Sequence, residues 1–144
     1  MPQQIVHLVK LCVGCESVRQ LGRWQEMRAG SDPDRSPSHV TRMWPKRAAE
    51  LVAGGSLYWV IKGAILARQK VIRLDEAIGE DGIRRCRIVL ERGLIRTQPT
   101  PRRAFQGWRY LAPEDAPPDL PAHRQGDDEL PPELSGKLAE IGIL

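Results

Sequence analysis

The sequence lacks several features that would assign it to a broad class at once. No apolar run approaches the ~20 residues that a membrane-spanning helix needs, so we expect no membrane insertion. No N-terminal segment combines the charged, apolar and small-residue parts of a signal peptide. With three cysteines and no export signal, we expect reduced thiols and a cytoplasmic location.

Common catalytic and metal-binding motifs are also missing. The sequence has no Walker loop, no Gly-x-Ser-x-Gly motif and no paired acids at metal-binding spacing. Cys12 and Cys15 form one Cys-x-x-Cys pair, which supplies half of a zinc site or a dithiol. The remaining candidate ligands, His7, His39 and Cys86, are scattered singly, so we predict no metal site and no cofactor. A lone His7 on a strand is typical of a hydrogen-bonded core residue.

Lysine is scarce, since 17 of the 22 basic residues are Arg. The planar guanidinium matches phosphate and stacks on bases, which favours nucleic acid as a partner, although high genomic GC content would give the same bias. The acidic residues are unevenly placed: residues 1–112 carry a net charge of +10 and residues 113–144 carry −6. We therefore predict a basic α+β domain over 1–112, followed by an acidic, Pro-rich tail over 113–144.

The order of the predicted elements favours an α+β fold with a curved or barrel-like, mostly antiparallel sheet and two N-terminal helices. The apolar run over 5–13 predicts a buried first strand, and Val18, Leu21, Trp24 and Met27 recur at helical spacing after Ser17, a residue suited to cap that helix. Further strands are predicted over 56–62, 64–74 and 83–90, with an edge strand over 99–110 and a short helix over 133–141.

The stretch from Thr41 to Gly63 contains a cationic turn, a short helix, a glycine pair and an aromatic-rich strand. It predicts a helix over 45–53, a left-handed cap at Gly54 and Gly55, and a strand whose Leu57, Trp59 and Ile61 face the core. Cations beside flat aromatic rings suit a ligand that is both anionic and planar, such as a nucleotide. The predicted ligand-binding residues are Arg42, Trp44, Lys46, Arg47, Tyr58, Lys62, Arg102, Arg103, Trp108 and Arg109.

Three segments of the chain, TRMWPKRA, GGSLYWVIKG and PRRAFQGWRYL, carry a family resemblance. With IVHLVKLCVG, GEDGIRRC and APEDAPPDLP, they make residues 5–120 resemble an alphaproteobacterial family of small proteins with a domain of unknown function. That resemblance implies no activity. The layout is also similar to the PUA-like superfamily, including ASCH and EVE domains, which implies binding of RNA or a modified base. The Lys-x-x-Glu-x-Arg pattern typical of ASCH domains is absent.

The same distant likeness implies a catalytic alternative, because some ASCH-like proteins are amidohydrolases that act on modified pyrimidines with a Lys, a Thr and a Glu. Thr41, Lys46, Glu50 and Lys62 supply those residue types. Neighbouring cations favour the neutral form of a lysine, and the neutral amine is the form that acts as a base or nucleophile. We expect a binding protein for RNA or a nucleotide-like ligand, with a small nucleoside hydrolase or a protein-protein adaptor as the alternatives. In the binding hypothesis, the acidic tail covers the basic surface as a phosphate mimic.

Overall fold

The computed structural model describes residues 4–29, 36–103 and 105–125. Residues 126–144, which include the helix predicted over 133–141, lie outside the described residues. Among the described residues, no helix is long and apolar enough to cross a membrane. The elements are β1 (His7–Leu11), α1 (Val18–Ala29), β2 (Ser38–Thr41), α2 (Ala48–Val52), β3 (Ser56–Ile61), β4 (Ala64–Ile78), β5 (Arg84–Leu90), β6 (Ile95–Pro101) and β7 (Trp108–Leu111).

The strands form one mixed, seven-stranded sheet in the order β2-β5-β4-β3-β1-β7, with β6 paired to β4 beside this path. β1 and β3 run parallel, and the connection between them contains α1, β2 and α2. The other strand pairs are antiparallel. A sheet-rich α+β fold is therefore confirmed. The sheet is not closed, since β2 and β7 are its two ends, and the barrel-like detail is not confirmed.

The 15-residue strand β4 connects most of the sheet. Ala64 to Arg68 pair with β3 on one edge and with β6 on the other. Val71 to Ile78 pair with β5, which lies on the same edge of β4 as β6. We predicted that this strand ends at Leu74, but its pairing with β5 extends it to Ile78.

The two helices begin in different ways. Ser17 caps α1 as predicted, because its Oγ accepts the main-chain N–H of Gln20 at 3.0 Å. The predicted start of α2 at Pro45 was wrong, since the helix begins only at Ala48. Arg47 has a non-helical conformation (φ −92°, ψ 43°) and donates its main-chain N–H to the Tyr110 hydroxyl at 3.1 Å. In a helix that began at Pro45, this N–H would belong to the first turn and have no partner within the helix, so Tyr110 satisfies it.

Both faces of β3 are buried, because the sheet is covered on both sides there. Leu57, Trp59 and Ile61 belong to the main core, which also receives apolar residues from α1, α2 and β5. Tyr58 and Val60 face the other way and form a second cluster with Val9, Ile65 and Leu111. The predicted alternation of faces is confirmed, and the covered second face was not expected.

The single edge strand predicted over 99–110 was wrong. The segment forms two strands, β6 and β7, which pair with β4 and β1 respectively. The connection between them contains Gly107 in the left-handed region (φ 70°), which a β strand does not adopt. β7 itself is an edge strand, as we expected of this region.

The first part of the predicted tail, residues 113–125, lies against β6. Asp119 forms a bridge with Thr97, and Gln98 donates its main-chain N–H to the Pro118 carbonyl at 2.9 Å. The side chain of Gln125 accepts the Arg96 N–H at 2.7 Å and donates to the Arg96 carbonyl at 3.1 Å. These bonds fix 113–125 on the domain.

Candidate nucleic-acid interface

The loop between β2 and α2 is attached to the edge strand β7. Trp108 donates its indole N–H to the Met43 carbonyl at 2.9 Å, and Tyr110 accepts the Arg47 N–H. Within the loop, Met43 donates its main-chain N–H to Thr41 Oγ1 at 3.2 Å. Trp108 is buried in the main core, with 4% of its surface exposed. Its indole therefore holds the loop in place and offers no free face to a base.

Trp44, the centre of the predicted site, is half-buried and packs against the main core. The Arg84 guanidinium carbon lies 4.2 Å from its ring centroid, and the same guanidinium pairs with Glu76 at 2.8 Å. Among the described residues, nothing accepts the buried Nε1–H of Trp44. One face of the Trp44 ring is thus already stacked on a cation.

The three loop cations predicted as ligand contacts differ in their surroundings. Arg42 and Lys46 are exposed. Arg47 donates from Nε and Nη2 to the Glu50 carboxylate at 2.7 and 2.9 Å, and its guanidinium lies 5.5 Å from the Tyr110 ring centroid. The hydrogen bond from Arg47 lowers the pKa of Glu50. Arg42 and Lys46 are the loop cations best placed to meet a ligand.

A second basic group lies at the end of the sheet where β3 turns into β4. We call it the Phe105 cluster: Lys62, Arg102, Arg103, Phe105 and Arg109. The guanidinium carbons of Arg102 and Arg109 each lie 5.6 Å from the Phe105 ring centroid. Arg102 donates its main-chain N–H to the Gly63 carbonyl at 2.9 Å, which places it beside the turn that holds Lys62. In the described parts of the chain, no carboxylate forms an ion pair with these four cations.

Strand β7 separates the two groups. Successive side chains of a strand point to opposite faces, so Trp108 and Tyr110 point towards the loop while Arg109 and Leu111 point away. Tyr58 shares the face of Arg109 but is buried in the second cluster, with 4% of its surface exposed. The predicted residues therefore form two surfaces, one at the Trp44 loop and one at the Phe105 cluster, instead of a single cleft.

The residues of the hydrolase alternative are not joined in the structure. Thr41 accepts the Met43 N–H, Glu50 pairs with Arg47, and Lys62 occupies the β3–β4 turn with φ 50°. Within the described residues, no hydrogen bond or ion pair connects Thr41, Lys46, Glu50 and Lys62 to one another. No observation favours this set as a catalytic unit.

The cysteines are free and buried. Burial raises the pKa of the Cys12 thiol to about 12, and a hydrogen bond with Cys15 adds to the effect. Cys15 donates from Sγ to the Ser17 carbonyl at 3.0 Å. Such surroundings oppose the thiolate form that metal binding and redox chemistry require. Among the described residues, no group of three or more His, Cys, Asp and Glu side chains is placed to hold a metal ion.

A polar wall beneath α1 was missed by the sequence reading. Gln25 on α1 and the buried Gln69 on β4 exchange two amide hydrogen bonds, at 2.8 and 2.9 Å. His39 and Trp59 line a cavity of about 100 Å³ beside Gln25. Burial, followed by the charges of Lys10 and Arg28, lowers the pKa of His39 to about 4. In the sequence, nothing distinguishes Gln69 from its polar neighbours Arg68 and Lys70.

A second polar cavity, of about 310 Å³, was also missed, although Tyr58 lines it. His7 is buried and its Nδ1 accepts the Ser56 N–H at 2.9 Å, so the prediction of a hydrogen-bonded core histidine is confirmed. Arg68 and Asp119, which lie 51 residues apart in the sequence, form an ion pair on the wall of this cavity. No local pattern predicts such a distant pair.

Comparison with known proteins gives one match. A family model described as a protein of unknown function (DUF1489) matches residues 8–144. Neither the search of the curated proteins nor the search of the solved structures found a match. Because the family model covers nearly the whole sequence, the chain belongs to this DUF1489 family.

Proposed function

We propose that the protein binds RNA or a nucleotide-like ligand, and that the Phe105 cluster is the main contact surface. The observation that carries the proposal is the convergence of Arg102 and Arg109 on the ring of Phe105, with no carboxylate in the described residues paired to either. Elsewhere Arg47, Arg68 and Arg73 each have an acidic partner.

The chemistry of this cluster suits a nucleotide. Arginine offers a planar fork to phosphate oxygens, and unpaired cations release counterions when they bind a phosphate backbone. Phe105 is half-buried, and an aromatic ring that stacks on a base contributes about 1–3 kcal/mol. Phe105 packs against the second core cluster, and its ring lies beside the two guanidinium groups, so an aromatic contact and two donors to phosphate meet in one place.

The Trp44 loop provides a second region of contact on the other face of β7. Arg42 and Lys46 are exposed there, beside a Trp44 ring that Arg84 already stacks on. Met43 Cε lies 3.6 Å from the position that a Cβ at Gly107 would occupy, so the loop reaches the segment that carries Phe105. A single strand that crosses the edge of the sheet at Gly107 would meet both groups.

The PUA-like resemblance is consistent with this proposal. It depends on a first strand, helical material, a cationic residue before a helix, and a Gly-led strand that enters a barrel, although the sheet here is not closed. β1, α1, the Arg42–Arg47 loop, α2 and β3 have that order. This layout adds weight to RNA or a modified base as the ligand.

The test is a salt titration of binding to a fluorescent single-stranded oligoribonucleotide. We expect log affinity to fall linearly with log salt, with a slope of about −0.7 per phosphate contact. The variant Arg102→Ala, Arg103→Ala, Arg109→Ala should lose about tenfold or more in affinity at low salt. Its salt slope should shrink by about 2, since it loses three phosphate contacts.

The matched control is Arg23→Ala, Lys70→Ala, Arg87→Ala, which removes the same charge at three exposed positions elsewhere. It should retain most of the affinity and the salt slope. Equal losses in the two variants would show that only net charge matters. No RNA affinity of the unmodified protein at about 50 mM salt would rule out the RNA proposal.

A further inference from the structure

The cavity between the sheet and the 113–119 segment contains a set of polar groups drawn from four elements. His7 lies on β1, Ser56 and Tyr58 on β3, Arg68 on β4, and Asp119 in the segment that covers β6. Apolar walls are added by Pro113, Ala116, Pro117 and Pro118. This cavity is wide open to solvent and has a volume of about 310 Å³.

The hydrogen bonds of His7 determine which proton it carries. Its Nδ1 accepts the main-chain N–H of Ser56 at 2.9 Å, so the neutral ring carries its proton on Nε2. Burial, and then the charge of Arg68, lowers the pKa of His7 and favours that neutral ring. Within the described residues, neither His7 Nε2 nor the Tyr58 hydroxyl has a hydrogen-bond partner, although both side chains line the cavity. Both groups are therefore available as donors.

Arg68 is held by two contacts on the wall of the cavity. Its Nη1 donates to Ser56 Oγ at 2.9 Å, and its Nε and Nη2 donate to the two Asp119 oxygens at 2.8 Å each. The Asp119 side chain is 40% exposed, so solvent weakens this ion pair. The guanidinium fork is thus oriented by Ser56 and occupied by a carboxylate of the chain itself.

We propose that this cavity binds a small oxyanion, a phosphate or a carboxylate, which takes the place of the Asp119 carboxylate on Arg68. The bidentate contact of Asp119 shows the geometry that a ligand oxyanion would adopt. His7 Nε2–H and the Tyr58 hydroxyl supply further donors from the sheet. The groups of this site lie on β1, β3, β4 and the 113–119 segment, and none of them belongs to the Phe105 cluster.

The experiment uses the full chain and follows the side-chain ¹⁵N resonances of its three histidines. Inorganic phosphate and acetate are titrated separately, with chloride holding the ionic strength constant. We expect a saturable shift at His7, assigned with the variant His7→Asn, and little change at His39 or His123. Tighter binding of phosphate than of acetate identifies a phosphate site, and the reverse identifies a carboxylate site.

Variants at the ion pair give opposite expected results. Asp119→Asn removes the competing carboxylate and should lower the dissociation constant about fivefold to tenfold. Arg68→Gln should abolish binding, and Arg68→Lys, which keeps the charge but loses the fork, should weaken it. Tyr58→Phe should weaken binding by a smaller factor because it removes one donor. Thermal midpoints of all variants show which of them remain folded.

The triple variant Arg102→Ala, Arg103→Ala, Arg109→Ala is the control, and its His7 shifts should match those of the unmodified protein. This result would hold even if the RNA proposal failed. The inference is overturned if neither anion gives a saturable His7 shift in the folded Asp119→Asn variant. Equal shifts at all three histidines would overturn it as well, since they show an adventitious ion only.

Discussion

Trp59 on β3 donates its indole N–H to the side-chain oxygen of Gln69 on β4, at 3.0 Å in the main core. The same oxygen accepts from Gln25 at 2.8 Å, while the Gln69 amide nitrogen donates to Gln25 and to the Glu91 carbonyl. Gln69 is completely buried, and all four of its hydrogen-bonding positions are thus used. Trp59 is therefore both an apolar core residue and part of a buried polar network.

The two tryptophans of the stretch from Thr41 to Gly63 should respond differently to truncation. Trp59→Ala removes a side chain that is 6% exposed and leaves Gln69 short of a donor, so it should destabilise the fold by about 3–5 kcal/mol. Trp44→Ala should cost about 1–2 kcal/mol, because Trp44 is only half-buried, and it should also weaken RNA binding. Urea denaturation and RNA titration of both variants measure these effects. Equal destabilisation would make Trp44 a core residue and remove it from the interface.

Gly55 allows α2 to end directly against β1 and β3. A Cβ at this position would overlap the Val6 carbonyl and lie 2.7 Å from the Leu51 carbonyl, which accepts the Gly55 N–H. Gly55→Ala should therefore destabilise the protein by about 3 kcal/mol or more. The control Gly22→Ala in α1 meets only Leu94 Cδ1 at 3.7 Å, and it should stabilise the helix by about 0.5–1 kcal/mol. Equal shifts in the denaturation midpoints of the two variants would contradict this account.

Two histidines give the stability a defined dependence on pH. Burial lowers the pKa of both His7 and His39, the latter to about 4, while an unfolded histidine titrates near 6.5. As the pH falls below about 6.5, the unfolded chain takes up protons first, so the free energy of unfolding decreases until the folded pKa is reached. We expect a loss on the order of 1–2 kcal/mol between about pH 7.5 and pH 5, after allowance for solvent screening.

Denaturation curves at these pH values test the expectation, and His39→Gln is the informative variant. It removes the group whose pKa is lowered to about 4, so its loss of stability towards acid should be smaller. An unmodified protein that is equally stable at both pH values would show that these histidines titrate alike in the folded and unfolded chain. The variant His123→Gln, at an exposed position, is the control.

Local patterns predicted the elements better than they predicted how the elements meet. The alternation of Leu57, Trp59 and Ile61 identified the core face of β3, and Cys86, Ile88 and Leu90 are buried on the predicted strand β5. The parallel pairing of β1 with β3 was not predicted, since it joins residues about 50 positions apart. Arg68 and Asp119 likewise form a pair that only the fold brings together.

The basic surface shows the same limit. Arg102 and Arg109 were predicted as ligand contacts from their charge, and their approach to the Phe105 ring depends on the break between β6 and β7. Because Trp108 and Tyr58 are buried, their rings cannot stack on a base. The composition thus predicted a surface that suits an anion. Only the order of the strands in the sheet shows that β7 divides the predicted residues into two surfaces.

The tail should contain two parts with different roles, and two deletions separate them. Deleting 113–144 removes the Asp119 partner of Arg68 and the Gln125 bonds to Arg96. At about 1 kcal/mol for each lost hydrogen bond, this deletion should lower the free energy of unfolding by about 2–4 kcal/mol. Denaturant titration measures the loss, and an unchanged stability would show that the docked segment contributes nothing.

Deleting only 126–144 retains the docked segment and removes five carboxylates, those of Asp127, Asp128, Glu129, Glu133 and Glu140. Because opposite charge on the same chain acts at high effective concentration, the loss of these acids should raise RNA affinity about threefold or more at low salt. The gain should fade at high salt, where screening is strong, and the denaturation midpoint should not change. RNA titrations at two salt concentrations decide the matter. If affinity stays constant while the midpoint falls, residues 126–144 are structural and the tail does not act as a phosphate mimic.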